Sequence, residues 1–347
     1  MSETNQQSVI EQFFDDFPQG GKLLILAHNH PDPDTIASAA ALQEIATVLG
    51  KAKTTIAYGG VIGRAENAHM VKVLKLKLVP IEKIKISDFD RIAMVDTQPQ
   101  TGNNALPNHV MPHLVIDHHP KSKHSNRVPF VDIKTEYGAT ASILSEYLFQ
   151  FDLPISKNLA TALVYAIKSE TQDLGRETYQ VDVDCYQRLF PLANKKLLSK
   201  IVHAHVPRNY FQYLMQAIQK AKMFDECCII SRLRELPTPD LIPEIADLFM
   251  KMEGATWALC MGQYQGGLFL SIRTTNTRKD AGKIMKNLVK NNGTGGGHMQ
   301  IAGGRIDIPN LEQWEIHDLK DQIEQKFLKL IGKDGSAFHP LVPIEHQ

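Results

Sequence analysis

Residues 22–34 read KLLILAHNHPDPD, and residues 35–49 continue TIASAAALQEIATVL. The opening apolar run suits a strand buried on both faces, as in a parallel sheet, and it breaks abruptly into a polar loop. The stretch after it carries apolar residues at helical spacing, with Asp34 or Thr35 placed to cap it and Gly50 to stop it. Strand, loop and helix in that order open a βαβ unit.

The same alternation continues outward through TTIAYGG at 54–60, the helical RAENAHMVKVLK at 64–75, RIAMVD at 91–96 and HLVID at 113–117. It predicts a doubly wound, largely parallel sheet. GATASILSEYLFQ (138–150) and NLATALVYAIKS (158–169) read as helices with one apolar face, and a further helical stretch runs from about Val183 into Ile201 before Pro207 breaks the pattern. Helix and strand signals then restart with YFQYLMQAIQKAKMF (210–224), ECCIISRL (226–233), LIPEIADLFMKM (241–252), a hairpin over 256–274, DAGKIMKNLVK (280–290), a glycine-rich loop and a C-terminal helix over 312–331. The expected organisation is an N-terminal domain over 1–190, a linker over 191–215, and a smaller α/β domain with a mixed sheet over 216–347.

A chain of 347 residues has room for two such cores. Lys plus Arg and Asp plus Glu both total 38, so no overall polyanion-coating surface is implied, and a processive nuclease on long strands, which needs a basic groove, is disfavoured. Cys185, Cys227, Cys228 and Cys260 form no C-x-x-C pair and read as buried thiols in a reducing compartment. No apolar run approaches a membrane span, and the N-terminus lacks a basic segment followed by an apolar one, so a cytoplasmic address with no membrane partner is expected.

Strands of this kind end on ligand-type residues: His28 after LLILA, Asp96 after RIAMV, and Asp117-His118-His119 after HLVI. Sites in open parallel sheets form at the carboxyl ends of strands, so these positions converge. Asp32 and Asp34 follow His28 in a loop stiffened by Pro31 and Pro33, where an extended i, i+2 spacing turns both carboxylates one way. Asp-Pro-Asp alone also suits a turn or a cap. Carboxylates and imidazoles without thiolate suit manganese, magnesium, cobalt or zinc, and the number of donors suits two ions. A pair of ions can clamp the oxygens of a phosphoryl transfer and supply hydroxide near neutral pH.

The residues resemble those of the DHH phosphoesterases. HNHPDPD at 28–34 is similar to that family's H-x-x-P-D-x-D motif, Val95-Asp96 to its second motif, and Asp117-His118-His119 to its signature. GGGH at 295–298, followed by AGG at 302–304, resembles the glycine-rich motif of the DHHA1 domain. The resemblance implies one ion on His28, Asp32 and Asp96 and a second on Asp34, Asp96 and His118, with Asp96 bridging. It implies that Asp117 polarises its neighbours, that His119 meets substrate phosphate, and that hydroxide attacks without a covalent enzyme intermediate. Where the family has an Asp between two Thr, this chain has Glu170-Thr171, so Glu170 is the expected further ligand, with Asp173 as its rival. Arg273, Gly295, Gly296, Gly297 and His298 are the implied substrate contacts, through a guanidinium fork and backbone N–H groups.

The implied activity is a two-ion, most often manganese-dependent, hydrolysis of short oligonucleotides or small nucleotide phosphates, as in the nanoRNase and pAp-phosphatase branch. Open alternatives are a phosphoanhydride hydrolase of the exopolyphosphatase or pyrophosphatase kind, a cyclic-dinucleotide phosphodiesterase, and a non-catalytic nucleotide-binding protein. A homodimer is also left open.

Overall fold

The computed structural model describes residues 7–290, 292–297, 299–308 and 310–342, and these fall into two compact units divided between His205 and Val206. The division lies between two short helices, so the stretch expected as a linker is largely helical. No helix among the described residues is long and apolar enough to cross a membrane.

The first unit runs α1 (Val9–Asp15), β1 (Lys22–Leu26), α2 (Pro33–Val48), β2 (Lys53–Tyr58), α3 (Ala65–Leu74), β3 (Leu78–Pro80), β4 (Arg91–Val95), β5 (Leu114–Asp117), β6 (Phe130–Ile133), α4 (Thr140–Gln150), α5 (Lys157–Glu170), α6 (Gln180–Leu189) and α7 (Lys195–Val202). Its six-stranded sheet has the order β3-β2-β1-β4-β5-β6, and every pairing is parallel. The order reverses between β1 and β4, which opens a crevice at their carboxyl ends.

Alternation along the strands divides the core. Leu23 and Ile25 of β1 join the larger apolar cluster under the helices, whereas Leu24 and Leu26 join a smaller one covered by Ile84, Ile86 and Phe89 of the β3–β4 connection. The second layer of this doubly wound order is therefore made of short 3₁₀ turns and loops instead of helices. The single helix expected from Val183 into Ile201 is two, α6 and α7, because Pro191 lies between them and cannot donate to a continuing helix.

The second unit runs α8 (Arg208–Gln219), β7 (Lys222–Phe224), β8 (Cys228–Glu235), α9 (Leu241–Phe249), β9 (Trp257–Tyr264), β10 (Gly267–Thr274), α10 (Ala281–Val289), β11 (Gly293–Gly297), β12 (Ile301–Asp307), α11 (Gln313–Ile331) and β13 (Phe338–Pro340). Its seven-stranded sheet, β11-β12-β10-β9-β8-β7-β13, is mixed: β8 and β9 are parallel and their neighbours antiparallel. The β9–β10 turn puts Gln265 at φ 44° and Gly266 at φ 71°, the paired left-handed geometry that a two-residue hairpin needs. The glycines expected as a loop form the edge strand β11, paired with β12.

Candidate metal centre

Apart from Glu170, the candidate ligands in the first unit are delivered by the end of a strand or the start of a helix. His28 follows β1, Asp96 follows β4, and His118 follows Asp117 at the end of β5. Asp96 adopts φ 57°, a left-handed conformation that costs a non-glycine residue about a kilocalorie or more and turns its carboxylate into the crevice. Pro33 starts α2 two residues earlier than the sequence reading placed it, since its fixed φ suits the first helical position. Asp32 is accordingly the N-cap, accepting from the Thr35 N–H at 3.1 Å, and Asp34 sits within the first turn; the extended i, i+2 arrangement expected for the two is not formed.

Two groups of donors emerge, and Asp96 belongs to both. His28, Asp32 and Asp96 offer one ligand atom each within 4.8 Å of one another, and so do Asp96, His118 and His119. Nε2 of His28 lies 3.6 Å from Asp32 Oδ1 and 3.6 Å from Asp96 Oδ2, while Nε2 of His118 lies 3.6 Å from Asp96 Oδ1. Two donors that are each about 2.1 Å from one ion stand roughly 3 to 3.5 Å apart, so this spacing fits shared coordination better than direct hydrogen bonds.

The other imidazole nitrogens are held by main-chain carbonyls. Nδ1 of His28 donates to Asn29 O at 2.9 Å and Nδ1 of His118 to Tyr137 O at 3.1 Å, which presents both Nε2 lone pairs to the crevice. Asp34 is buried beside this cluster, and its oxygens accept the N–H groups of Thr140 and Ala141 at 2.8 Å each, where the amino end of α4 favours negative charge. The second group as found contains His119 where Asp34 was expected. Glu170, at the end of α5, bears electrostatically on Asp34, Asp96 and His119, and Arg176 stands 3.6 Å from it. Asp173 is exposed and bonded to Lys168, which removes it from the cluster.

The electrostatics suit a cation. Burial first, then Asp34, Asp32, Asp117 and Glu170, push the Asp96 carboxyl well above its usual range; burial and then Glu170 do the same to Asp34. Burial also opposes the charge on Asp32, but His28 brings its carboxyl down to about 2. Carboxylates crowded at this depth stay ionised only if positive charge joins them, and the mixed oxygen and imidazole set fits divalent ions such as manganese.

Two contributors escaped the sequence reading. Gln98 is buried and donates to Asp117 Oδ2 at 2.7 Å, while its carbonyl accepts from Ser122 N–H at 2.6 Å and Ser125 Oγ at 2.8 Å. Thr140 Oγ1 donates to Asp96 Oδ1 at 3.0 Å. Neither residue carries a local signal, because their partners are 19 to 44 positions away.

In the second unit, Arg273 is not a free fork: Nε donates to Asp247 Oδ1 at 2.5 Å and Nη1 to Ser271 Oγ at 2.8 Å. Ser271 pairs with Gly303, which pairs with Gly296, so these residues share one face of the sheet with Arg273. A Cβ on Gly296 would meet nothing within 4 Å, which leaves bare backbone there. Gly295 faces the other way, where a Cβ would meet Val289 at 2.9 Å, and its task is close packing on α10. Gly297 takes φ 139°, open to glycine. His298 lies outside the described residues.

Family models match in two places: the DHH family, N-terminal domain, over residues 22–167, and the DHHA1 domain over residues 225–327. An uncharacterized protein of Methanocaldococcus jannaschii is 32% identical over 317 residues, spanning 89% of this chain and 64% of that protein. A cyclic-di-AMP phosphodiesterase of Bacillus subtilis is 21% identical over 330 residues, 89% of this chain and 48% of that one, and a manganese-dependent inorganic pyrophosphatase of the same organism is 26% identical over 150 residues, 43% and 48% of the two chains. This chain thus spans about half to two thirds of the length of these relatives. The crystal structure of an exopolyphosphatase-related protein from Bacteroides fragilis shares the fold, with a TM-score of 0.72 at 13% identity over 96% of this chain and 100% of that one. With both of its domains matched in order, the chain belongs to the DHH family, carrying a DHH N-terminal domain followed by a DHHA1 domain.

Proposed function

We propose that this chain is a metal-dependent phosphohydrolase that cleaves short oligonucleotides or small nucleotide phosphates. The observation that carries the reading is the place of Asp96 between two imidazoles, with Oδ2 3.6 Å from His28 Nε2 and Oδ1 3.6 Å from His118 Nε2. Bound there, divalent cations would lower the pKa of water toward neutrality and offset charge on phosphate oxygens.

The chain's own residues supply the remainder. His28, Asp32, Asp34, Asp96, His118 and Glu170 hold and balance the ions. Of the three histidines His119 is the most exposed, with a side chain 42% accessible where those of His28 and His118 are 14% and 12%. Its Nδ1 is committed to Asp117 Oδ1 at 2.8 Å, which leaves Nε2 to meet a phosphate oxygen. Burial lowers the affinity of His119 for its proton, but in the metal-free protein Asp117 more than reverses this and carries its pKa up to about 9. The second unit's Gly296–Gly303 pair would offer a phosphate close approach to bare backbone.

The similarity to a named phosphodiesterase extends over both domains, whereas that to a named pyrophosphatase covers 43% of the chain; this supports a nucleotide ester as substrate. The test is a panel of pAp, dinucleotides, cyclic dinucleotides, a long single strand, pyrophosphate and polyphosphate with manganese. Turnover of pAp or dinucleotides is expected. Preferential turnover of the anhydrides would move the assignment to that class, and inertness toward every ester and anhydride would contradict it.

A further inference from the structure

The amino end of the first unit's sheet, opposite the metal centre, carries a second concentration of charge. Lys22 opens β1 and Lys53 opens β2, and the two are direct neighbours in the parallel register. The β3–β4 connection brings Lys83 and Lys85 to the same place: Ile84 between them turns into the apolar cluster beneath the sheet, and the flanking lysines turn outward. Together with Thr54 and Thr55 they line a cavity of about 380 Å³. Asp88 is the acid that lines it, and nearby Asp90 spends its carboxylate on the Lys22 backbone N–H at 2.7 Å.

In a chain of zero formal charge, this grouping is a local excess of positive charge around a concave space. We propose that it is an anchoring site for a phosphate-backbone polyanion, separate from the catalytic centre. Lysine ammonium groups suit phosphates as mobile point charges, and a threonine hydroxyl adds a donor. From Lys22 to His28 the strand path is about 20 Å, so a phosphate held here is not the one being cleaved. The site would hold a longer chain by its backbone while the centre takes short ends. The claim concerns binding and stands whether or not the hydrolytic reading holds.

The shared chemistry has two sources, single-stranded nucleic acid and inorganic polyphosphate. The test is fluorescence anisotropy in chelator, so that no turnover occurs, with a labelled 12-nucleotide RNA and a labelled polyphosphate of similar charge. Wild type should bind, and Lys53→Glu/Lys85→Glu should weaken binding at least tenfold at low salt. The milder Lys53→Gln/Lys85→Gln should lower the slope of log affinity against log salt by about 1.4 for the RNA, or about 0.7 per lysine. Thermal melting is expected to match wild type in both variants, and any small-substrate turnover should be unchanged. Weakening for both ligands supports a general phosphate site; weakening for one names its source. Absence of binding by wild type, or equal binding by folded variants and wild type, would overturn the proposal.

Discussion

Asp117 grips His119 twice, accepting its backbone N–H at 3.1 Å and its ring Nδ1 at 2.8 Å through the same oxygen. The carboxylate thereby fixes both the place and the charge of the ring. Asp117→Asn should bring the His119 pKa down from about 9 toward the ordinary imidazole range, measured by NMR titration of the ring protons in metal-free protein. Phosphohydrolase activity should fall by about 10- to 100-fold, the usual effect of losing such a supporting contact. An unmoved titration would show that Asp117 does not set the charge.

The stability of the metal-free protein should depend on pH in a definite direction. Folded Asp96 and Asp34 have raised pKa values, so the unfolded chain releases protons that the folded chain keeps, and stability falls as pH rises above the ordinary carboxylate range near about 4. His119 adds stability that is full below about 6.5, the ordinary imidazole value. That contribution is lost as pH rises through about 9. Asp32 acts at the other end, adding stability above its ordinary value that is lost as pH falls through about 2. Melting temperature in chelator should therefore decline from mildly acidic to alkaline pH, and manganese should flatten that decline. A melting temperature in chelator that rises toward pH 9 would contradict the placement of these charges.

Much of this site was legible because strands buried on both faces announce themselves as continuous apolar runs, and each run here stops at a ligand-type residue. What the sequence concealed depends on distance along the chain. Gln98 and Thr140 are ordinary residues whose meaning comes from partners on other strands and helices. The first turn of α2 is hard to place from sequence because Pro33 suits a stiff loop as well as a first helical position. The β11 strand looks like a loop in sequence because glycine is sparse in strands. Gly295 and Gly304 are glycines because a Cβ would meet Val289 or Met285 of α10 at 2.9 Å or less.

Gln98 should matter more than its ordinary identity suggests. Gln98→Ala removes the donor to Asp117 and the acceptor for Ser122 and Ser125, leaving buried polar groups unpaired at a cost of about 2 to 3 kcal/mol. Urea denaturation of the metal-free variant measures this, and a change below about 0.5 kcal/mol would mean that water or another side chain replaces it.

The glycines of β11 separate packing from binding. Gly293→Ala would drive a Cβ to 2.0 Å from Arg305 O and should destabilise the second unit, whereas Gly296→Ala meets nothing and should leave stability within about 1 kcal/mol of wild type. If bare backbone at Gly296 grips substrate, that same variant should raise KM while it melts normally. Normal KM in Gly296→Ala would exclude this face from substrate binding.

The central claim is that Asp96 bridges two divalent ions. Anomalous diffraction at the manganese edge from manganese-soaked crystals tests it directly. Two peaks are expected in the crevice between β1 and β4, both in contact with Asp96, one reached by His28 and Asp32 and the other by His118. A single peak, or two peaks that do not share Asp96, would contradict it.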